Sequence, residues 1–574
     1  MLQGIAVSPG IGLGRVMLMS AGEFISSEET PGRSLDPHKE RERLRLAVEQ
    51  FCLDTAAGVE MLRKSTGEDD AKILEVHMHM ARDPVLIEDT EALIDQGESA
   101  PRALFQVCKS YIEIFLTSHD ELTRMRAGDI EDVCRELMRI MRGDKALDLR
   151  GAPKGTILVG RDLSPSIMAG VDREKIEGII TENGGRTSHS SILARALGVP
   201  AVCGVTGAME LLSAEEFVIV DGERGQVICS PSESAAADYI RRREEFQFER
   251  RRAERFLNQK TVSKSGGGYS IYCDITMPGG AAAVLSAGGE GIGLFRTEYL
   301  FMNREAPPGE EEQLLAYSQV AVGVKGRPAV IRILDVGGDK EIPSLGHKLE
   351  DNAYMGHRGV RWCLDHESLL MSQLRALLRA GANSPLKILV PMVSTVDEVR
   401  ALRRLVAKAA KELDKQGLAR ANKLPLGVMI ETPAAAAIAD LLAAEADFFS
   451  IGSNDLTGYI MACDRGNAKV AALFSALQPA VLRAMRHVIA QGKEAGIPVC
   501  ICGEAAVDKR LIPLLMAFGA DAVSVSLGAV AAVRSQFALW SEEEAQELAD
   551  RVMALRTLEE VERAVDRELS GKES

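Results

Sequence analysis

Cysteine is scarce in this chain, with ten among 574 residues and no CxxC pair; Cys500 and Cys502 are the nearest neighbours. A disulfide scaffold is excluded at that density, and no second thiol pair completes a zinc site. A reducing cytoplasm is the simple expectation. Long apolar runs are missing too. No stretch approaches the ~18 consecutive apolar residues of a membrane span. The start, Met1-Leu2-Gln3-Gly4-Ile5-Ala6-Val7, has neither a basic n-region nor a long apolar h-region, so no secretory signal is expected. Basic residues are in deficit, 68 Lys and Arg against 83 Asp and Glu, for a net charge of −15. That balance argues against general nucleic-acid binding and leaves a basic protein partner open. Neither GxGxxG nor GxxxxGK[ST] occurs, so the common nucleotide fingerprints are absent.

What the chain does have is the run Gly184-Gly185-Arg186-Thr187-Ser188-His189-Ser190-Ser191-Ile192. The paired glycines allow turn dihedrals closed to other residues. Thr187, Ser188 or Ser190 could then cap a helix beginning near His189. Exposed amides at a helix start attract an anion. An imidazole there is a competent nucleophile near neutral pH and could accept a phosphoryl group. A capping box beside a surface histidine fits the same residues.

The length suits three or four domains. Residues 1 to about 20 read as the start of a strand, with Ser8 to Gly14 forming a tight loop. From 37 to 143 the pattern turns helical, with apolar Leu44, Ala47, Val48 and Phe51 at helix spacing. Helices are expected over 41–58, 69–80, 84–94, 101–116 and 129–141, forming a bundle. Strand-like runs return at 156–159, 178–181, 217–220 and 226–229. The bundle (37–143) therefore reads as an insertion in an α/β domain made of 1–36 and 144–230. Residues 231–261 are expected to contain a charged linker helix, and the Ser/Gly-rich run 260–268 marks a boundary. Residues 262–574 then alternate short apolar strands (270–275, 291–295, 330–336, 387–393, 426–430, 448–451, 498–501, 522–525) with helical stretches. Eight such strands over roughly 300 residues fit a (β/α)8 barrel, with a doubly wound sheet as the runner-up.

Polar residues follow these strands repeatedly. Arg296 ends one, Arg332 lies in the next, and Arg358 sits in Met355-Gly356-His357-Arg358. Glu431 closes Val428-Met429-Ile430-Glu431, Asn454 and Asp455 follow Ser450-Ile451-Gly452-Ser453, Arg465 lies ten residues on, and Cys502 closes Val499-Cys500-Ile501-Cys502. In a barrel these side chains meet over one mouth. Arginine forks there would cradle a phosphate and a carboxylate. Glu431 and Asp455 would suit a hard divalent cation such as Mg²⁺, with substrate oxygens and waters completing its shell.

With these motifs in hand, the chain resembles the phosphoenolpyruvate-utilising phosphotransferases, most nearly the Enzyme I family of the bacterial phosphotransferase system. The matching runs include Ser8-Pro9-Gly10, 184–192, 291–302, 335–340, 430–436, 449–457, 464–467 and 502–504. The resemblance implies a swivelling phosphohistidine α/β domain with an inserted helical bundle, followed by the barrel. It implies that His189 accepts the phosphoryl group and that Cys502 protonates the enolate carbon. It implies that Arg296, Arg332, Arg358, Asn454 and Arg465 bind phosphoenolpyruvate, and that Glu431 and Asp455 hold Mg²⁺. It further implies a small histidine phosphocarrier protein (HPr-like) docking on the bundle, and a homodimer formed through the barrel. A regulatory, nitrogen-related or non-sugar branch is the alternative role. Ala353, His357, Gly458 and Val507 depart from the Enzyme I pattern; Gly356-His357-Arg358-Gly359 is more similar to pyruvate, phosphate dikinases, whose nucleotide-grasp domain has no counterpart here.

Overall fold

The computed structural model describes residues 1–19, 36–65, 68–116, 121–143, 149–161, 163, 167–168, 171–172, 174–184, 189–302, 306–337, 342, 345, 352–464 and 470–573. They form two compact units, Met1–Phe248 and Glu249–Ser574.

The first unit is built on an eight-stranded sheet in the order β1-β8-β7-β3-β4-β5-β6-β2. Its strands are β1 (Leu2–Gln3), β2 (Ile5–Ser8), β3 (Ile11–Met19), β4 (Thr156–Gly160), β5 (Ile176–Thr181), β6 (Ala201–Cys203), β7 (Phe217–Asp221) and β8 (Gln226–Cys229). β3 to β6 run parallel, and β7 lies antiparallel on β3. Residues 11–14, expected in a loop, are instead paired strand. Gly12 and Gly14 belong there because a Cβ on either would strike a neighbouring carbonyl oxygen, 2.0 Å from Glu177 O and 2.1 Å from Gly155 O. Glycine here marks close backbone approach as well as a turn.

Between β3 and β4 the chain leaves for five helices, α1 (Pro37–Ser65), α2 (Glu68–Ala81), α3 (Pro84–Asp95), α4 (Ala100–Leu116) and α5 (Glu121–Arg142). Phe51, Leu104, Cys108 and Leu137 meet in their separate core. Asp83 caps α3, accepting the Val85 N–H at 2.8 Å with Pro84 in the first turn. Glu40 of α1 accepts the Ala100 N–H at 2.7 Å and so secures the start of α4.

After β5, helix α6 (His189–Leu197) begins at His189. Gly184 just before it has φ +94°, the left-handed region that glycine allows. Residues 185–188 and the side chains of His189 and Ser190 lie outside the described residues, so the expected capping lies there too.

A long helix, α7 (Glu233–Glu254), follows the sheet. Its first turns belong to the first unit: Arg242 pairs with the fully buried Asp221 at 3.0 Å, and Tyr239 packs on Ile11, Leu13 and Ile219. The division between units falls inside α7, not in the Ser/Gly-rich run 260–268. That run is fastened to the second unit, where Ser263 Oγ donates to Glu542 at 2.7 Å and Gly267 N–H to Ser263 Oγ at 2.8 Å. Arg534, buried in the same unit, donates to the carbonyls of Phe256 at 3.0 Å and Leu257 at 2.7 Å.

The second unit is a closed barrel of parallel strands: β9 (Ser270–Ile275), β10 (Ile292–Arg296), β11 (Ala329–Arg332), β12 (Leu386–Val390), β13 (Leu426–Ile430), β14 (Phe448–Gly452), β15 (Val499–Cys502) and β16 (Ala522–Val525). β16 pairs with β9 to close it. The eight expected strands are these eight, though β11 ends at Arg332 and β12 at Val390, earlier than their apolar runs suggest. Residues 333–336 and 391–393 leave the sheet while staying buried, so hydropathy carries on past the ladder. Alternate residues point outward to the helices or inward, where Leu294, Val330, Leu389, Met429 and Phe448 fill the interior.

Candidate active site

Strands β10, β11, β13, β14 and β15 end around one cavity of about 540 Å³. Arg296, Arg332, Arg358, Glu431, Asn454, Asp455 and Cys502 all line it. Seven of the nine residues anticipated from the sequence therefore converge. Arg465 and the His189 side chain lie outside the described residues.

The arginines are held by carboxylates. Arg332 reaches Glu298 through Nη2 and lies 3.4 Å from Asp335 through Nη1. Arg358 donates from Nε and Nη2 to the two oxygens of Asp335, both at 3.1 Å, and from Nη1 to Asp455 at 2.9 Å. Burial disfavours the charge on both guanidiniums, yet the adjoining carboxylates outweigh it and raise both pKa values. Tyr459 accepts from Arg358 Nη1 at 3.4 Å and donates its own hydroxyl hydrogen bond to the Tyr354 carbonyl, linking the Arg358 loop to helix α8 (Ser453–Met461). Glu298, Asp335 and Tyr459 went unread in the sequence, although Glu298 and Asp335 each lie within three residues of an anticipated arginine.

Glu431 is 1% exposed. Its Oε1 accepts the Met392 N–H at 2.7 Å, from a backbone held at φ +57°. Such a dihedral is costly for methionine and here aims one amide at the carboxylate. Oε2 is buried without a hydrogen-bond partner. A Cβ at Gly452 would come within 2.7 Å of that oxygen, so glycine keeps the space beside it open. Burial, with Asp455 and Asp335 adding to it, pushes the Glu431 carboxyl up to about 8. An orphaned, desolvated carboxylate oxygen beside a second carboxylate fits a hard divalent cation. Among the described residues no three His, Cys, Asp or Glu side chains form a ready-made metal cluster. A cation held here would draw its remaining ligands from water or substrate oxygens.

Asn454 and Cys502 are fixed by their loops. Asn454 Oδ1 accepts the Glu504 N–H at 3.0 Å, which turns its amide nitrogen to the other side. Gly503, at φ +88°, permits the tight turn between them. Cys502 is 2% exposed; its thiol donates to the Ile451 carbonyl at 3.3 Å and lies 3.6 Å from Ser450 Oγ. Burial, then Asp274, pushes that thiol up to about 12, so it keeps its proton at neutral pH. The site thus combines arginine forks, a place for a cation and a protonated thiol in one cavity.

Of the sequence departures, only Gly458 lines the cavity. His357 faces Asp365 at 2.9 Å, and His366 stacks on Trp362 at 3.8 Å between ring centroids. Gly458 lines the cavity and leaves a gap toward Phe474.

Comparison with known proteins agrees with this geometry. Residues 250–541 match the PEP-binding domain of PEP-utilising enzymes, 152–225 the mobile domain and 3–126 the N-terminal domain. A phosphoenolpyruvate-protein phosphotransferase of Priestia megaterium is 36% identical over 98% of this chain and 97% of its own. One of Geobacillus stearothermophilus is 36% identical over 99% and 98%, and one of Listeria innocua 37% identical over 99% of both. With all three domains matched in order and identity sustained from end to end, the chain belongs to the phosphoenolpyruvate-protein phosphotransferase family of PEP-utilising enzymes.

Proposed function

We propose that this protein transfers the phosphoryl group of phosphoenolpyruvate to His189, releases pyruvate, and passes the phosphoryl group to a histidine of a small phosphocarrier protein of the HPr type. The observation that carries this reading is the meeting of Arg296, Arg332, Arg358, Glu431, Asn454, Asp455 and Cys502 in one cavity. Such a transfer would open a sugar phosphotransferase pathway.

Arg296, Arg332 and Arg358, joined by Arg465, grip the phosphate and carboxylate through their planar forks. Asn454 donates from its free amide nitrogen. Glu431 and Asp455 would hold Mg²⁺, which would supply charge neutralisation to the transfer. His189 attacks phosphorus with a neutral imidazole nitrogen, and the bond from phosphorus to the enol oxygen breaks. The enolate left behind takes the Cys502 proton at its methylene carbon and becomes pyruvate. The helical insertion, residues 37–143, provides the docking surface for the phosphocarrier, with α2 and α3 as the face. Val76 and Val85 are 45% and 58% exposed there. The barrel forms a homodimer, and the protein works in the cytoplasm. Among the described residues no helix is long and apolar enough to cross a membrane.

The test is incubation with ³²P-labelled phosphoenolpyruvate and Mg²⁺. One acid-labile, alkali-stable label per chain should appear with one pyruvate, and the label should move to an added phosphocarrier. Acid-stable label, or pyruvate without label, refutes the reading.

Cation binding carries a pH signature. Below pH 8 the Glu431 carboxyl is protonated and must lose its proton to the cation; above it the carboxylate is ready. Mg²⁺ affinity should therefore rise with pH up to about 8 and then level off. Calorimetry at pH 6.5 in buffers of different ionisation enthalpy should show close to one proton released per Mg²⁺, and close to none at pH 9. Equal affinity and no released proton at either pH would mean that cation binding displaces no proton from Glu431.

A further inference from the structure

Two of the cavity's arginines depend on one carboxylate outside it. Asp335 is fully buried and is not among the residues lining the cavity. It lies three residues beyond Arg332, just past the end of β11, and faces Arg358 from a different loop. Its two oxygens take the Nε and Nη2 edge of Arg358, each at 3.1 Å, which fixes the plane of that guanidinium. Oδ2 also stands 3.4 Å from Nη1 of Arg332. The Nη1 of Arg358 is left directed at Asp455 and Tyr459, both of which line the cavity.

The backbone is shaped for this meeting. Gly359 N–H donates to the Val336 carbonyl at 3.0 Å, joining the two loops. Gly337 has φ +107°, and a Cβ there would lie 2.9 Å from the Cβ of Arg358. Gly359 has φ +62°, and a Cβ there would lie 3.3 Å from Asp335 Oδ1. Both positions demand glycine; Gly337 allows the close approach to Arg358, while a Cβ at Gly359 would first strike Met392, 2.7 Å from its Cβ.

Two guanidiniums repel each other and carry much rotamer freedom. A dianionic phosphate meets them best when both planes are already set. Asp455 cannot be the permanent holder of Arg358, because in the proposed reaction it turns to the cation.

We propose that Asp335 is a positioning residue that sets the orientation of Arg358 for the anionic substrate. The substrate in this inference rests on the phosphoenolpyruvate reading. Asp335→Asn preserves shape while removing the charge and one acceptor. It should lower kcat/KM for phosphoenolpyruvate by about 100-fold, as expected for truncating one member of a buried charge pair. Thermal unfolding identifies any loss of folded protein. In an Arg358→Lys background, where the fork is already gone, the same change should cost less than about 5-fold. A full 100-fold loss in that background, or a negligible loss in the single variant, overturns the proposal.

A second measurement needs neither folding of a variant at Asp335 nor turnover. In the full-length wild-type protein, the Arg358 Nε–H resonance, assigned by its absence from Arg358→Lys, should exchange slowly with water. An exchange rate matching exposed arginines overturns the proposal. If the wild-type protein takes no phosphoryl group from phosphoenolpyruvate, the functional reading fails, and the resonance still decides the role of Asp335.

Discussion

His189→Ala protein takes up no phosphoryl label from phosphoenolpyruvate and makes no pyruvate by this route, while its barrel still binds substrate. That is the expected result if the imidazole is the acceptor. Helix α6 starts at His189, and Gly184 provides the left-handed turn before it. A first-turn histidine stands among the unsatisfied amides of a helix start, which favour an anionic phosphoryl group once it has arrived. Alanine keeps the helix and removes the nucleophile, so substrate binding and chemistry should separate completely. Equilibrium binding of phosphoenolpyruvate with Mg²⁺ should stay within about 3-fold of wild type, since the ligands for it lie in the other unit. Radiolabel and released pyruvate should both fall to background. Label retained on the alanine variant would put the acceptor elsewhere.

Cys502→Ser should likewise keep binding while losing chemistry, through a different step. The serine hydroxyl is close in size to the thiol and can keep the bond to the Ile451 carbonyl. It is a much weaker acid, and the enolate carbon needs a proton as the bond to phosphorus breaks. Loss of a positioned general acid costs about 10²–10⁴-fold. Pyruvate formation should fall within that range while phosphoenolpyruvate affinity changes little. The reverse half-reaction, from phosphorylated protein and pyruvate, should be slowed by the same factor because it needs the same proton removed. If serine lowers only the melting temperature, Cys502 is a packing residue, as its burial beside Met429 and Leu294 would also allow.

The barrel could be read from the sequence because its strands are short apolar runs, several of which end beside a polar residue that lines the cavity. Arg296, Glu431 and Cys502 were visible as interruptions of hydropathy. Glu298 and Asp335 were not, for a physical reason. Each is an acidic residue near a basic one, a pattern that on a surface means a weak ion pair, and only the fold reveals that both partners are buried. The first residues of β3, 11–14, read as a loop because of the glycine repeat at 10, 12 and 14. Its meaning depends on neighbours distant in sequence, Glu177 and Gly155. The unit boundary was sought at Gly266 because loops are usually soft, whereas hydrogen bonds to Glu542 hold that loop in place.

The packed barrel interior has a stereochemical consequence. Leu294, Val330, Leu389, Met429 and Phe448 close the floor, and the Cys502 thiol stands on one wall. A planar enolate lying in this cavity presents one face to that thiol. Its methylene carbon would then meet its proton from a single side. Phosphoenolpyruvate carrying deuterium and tritium at defined positions should therefore yield pyruvate with a methyl group of one handedness. The product would carry a permanent record of the wall from which its hydrogen came.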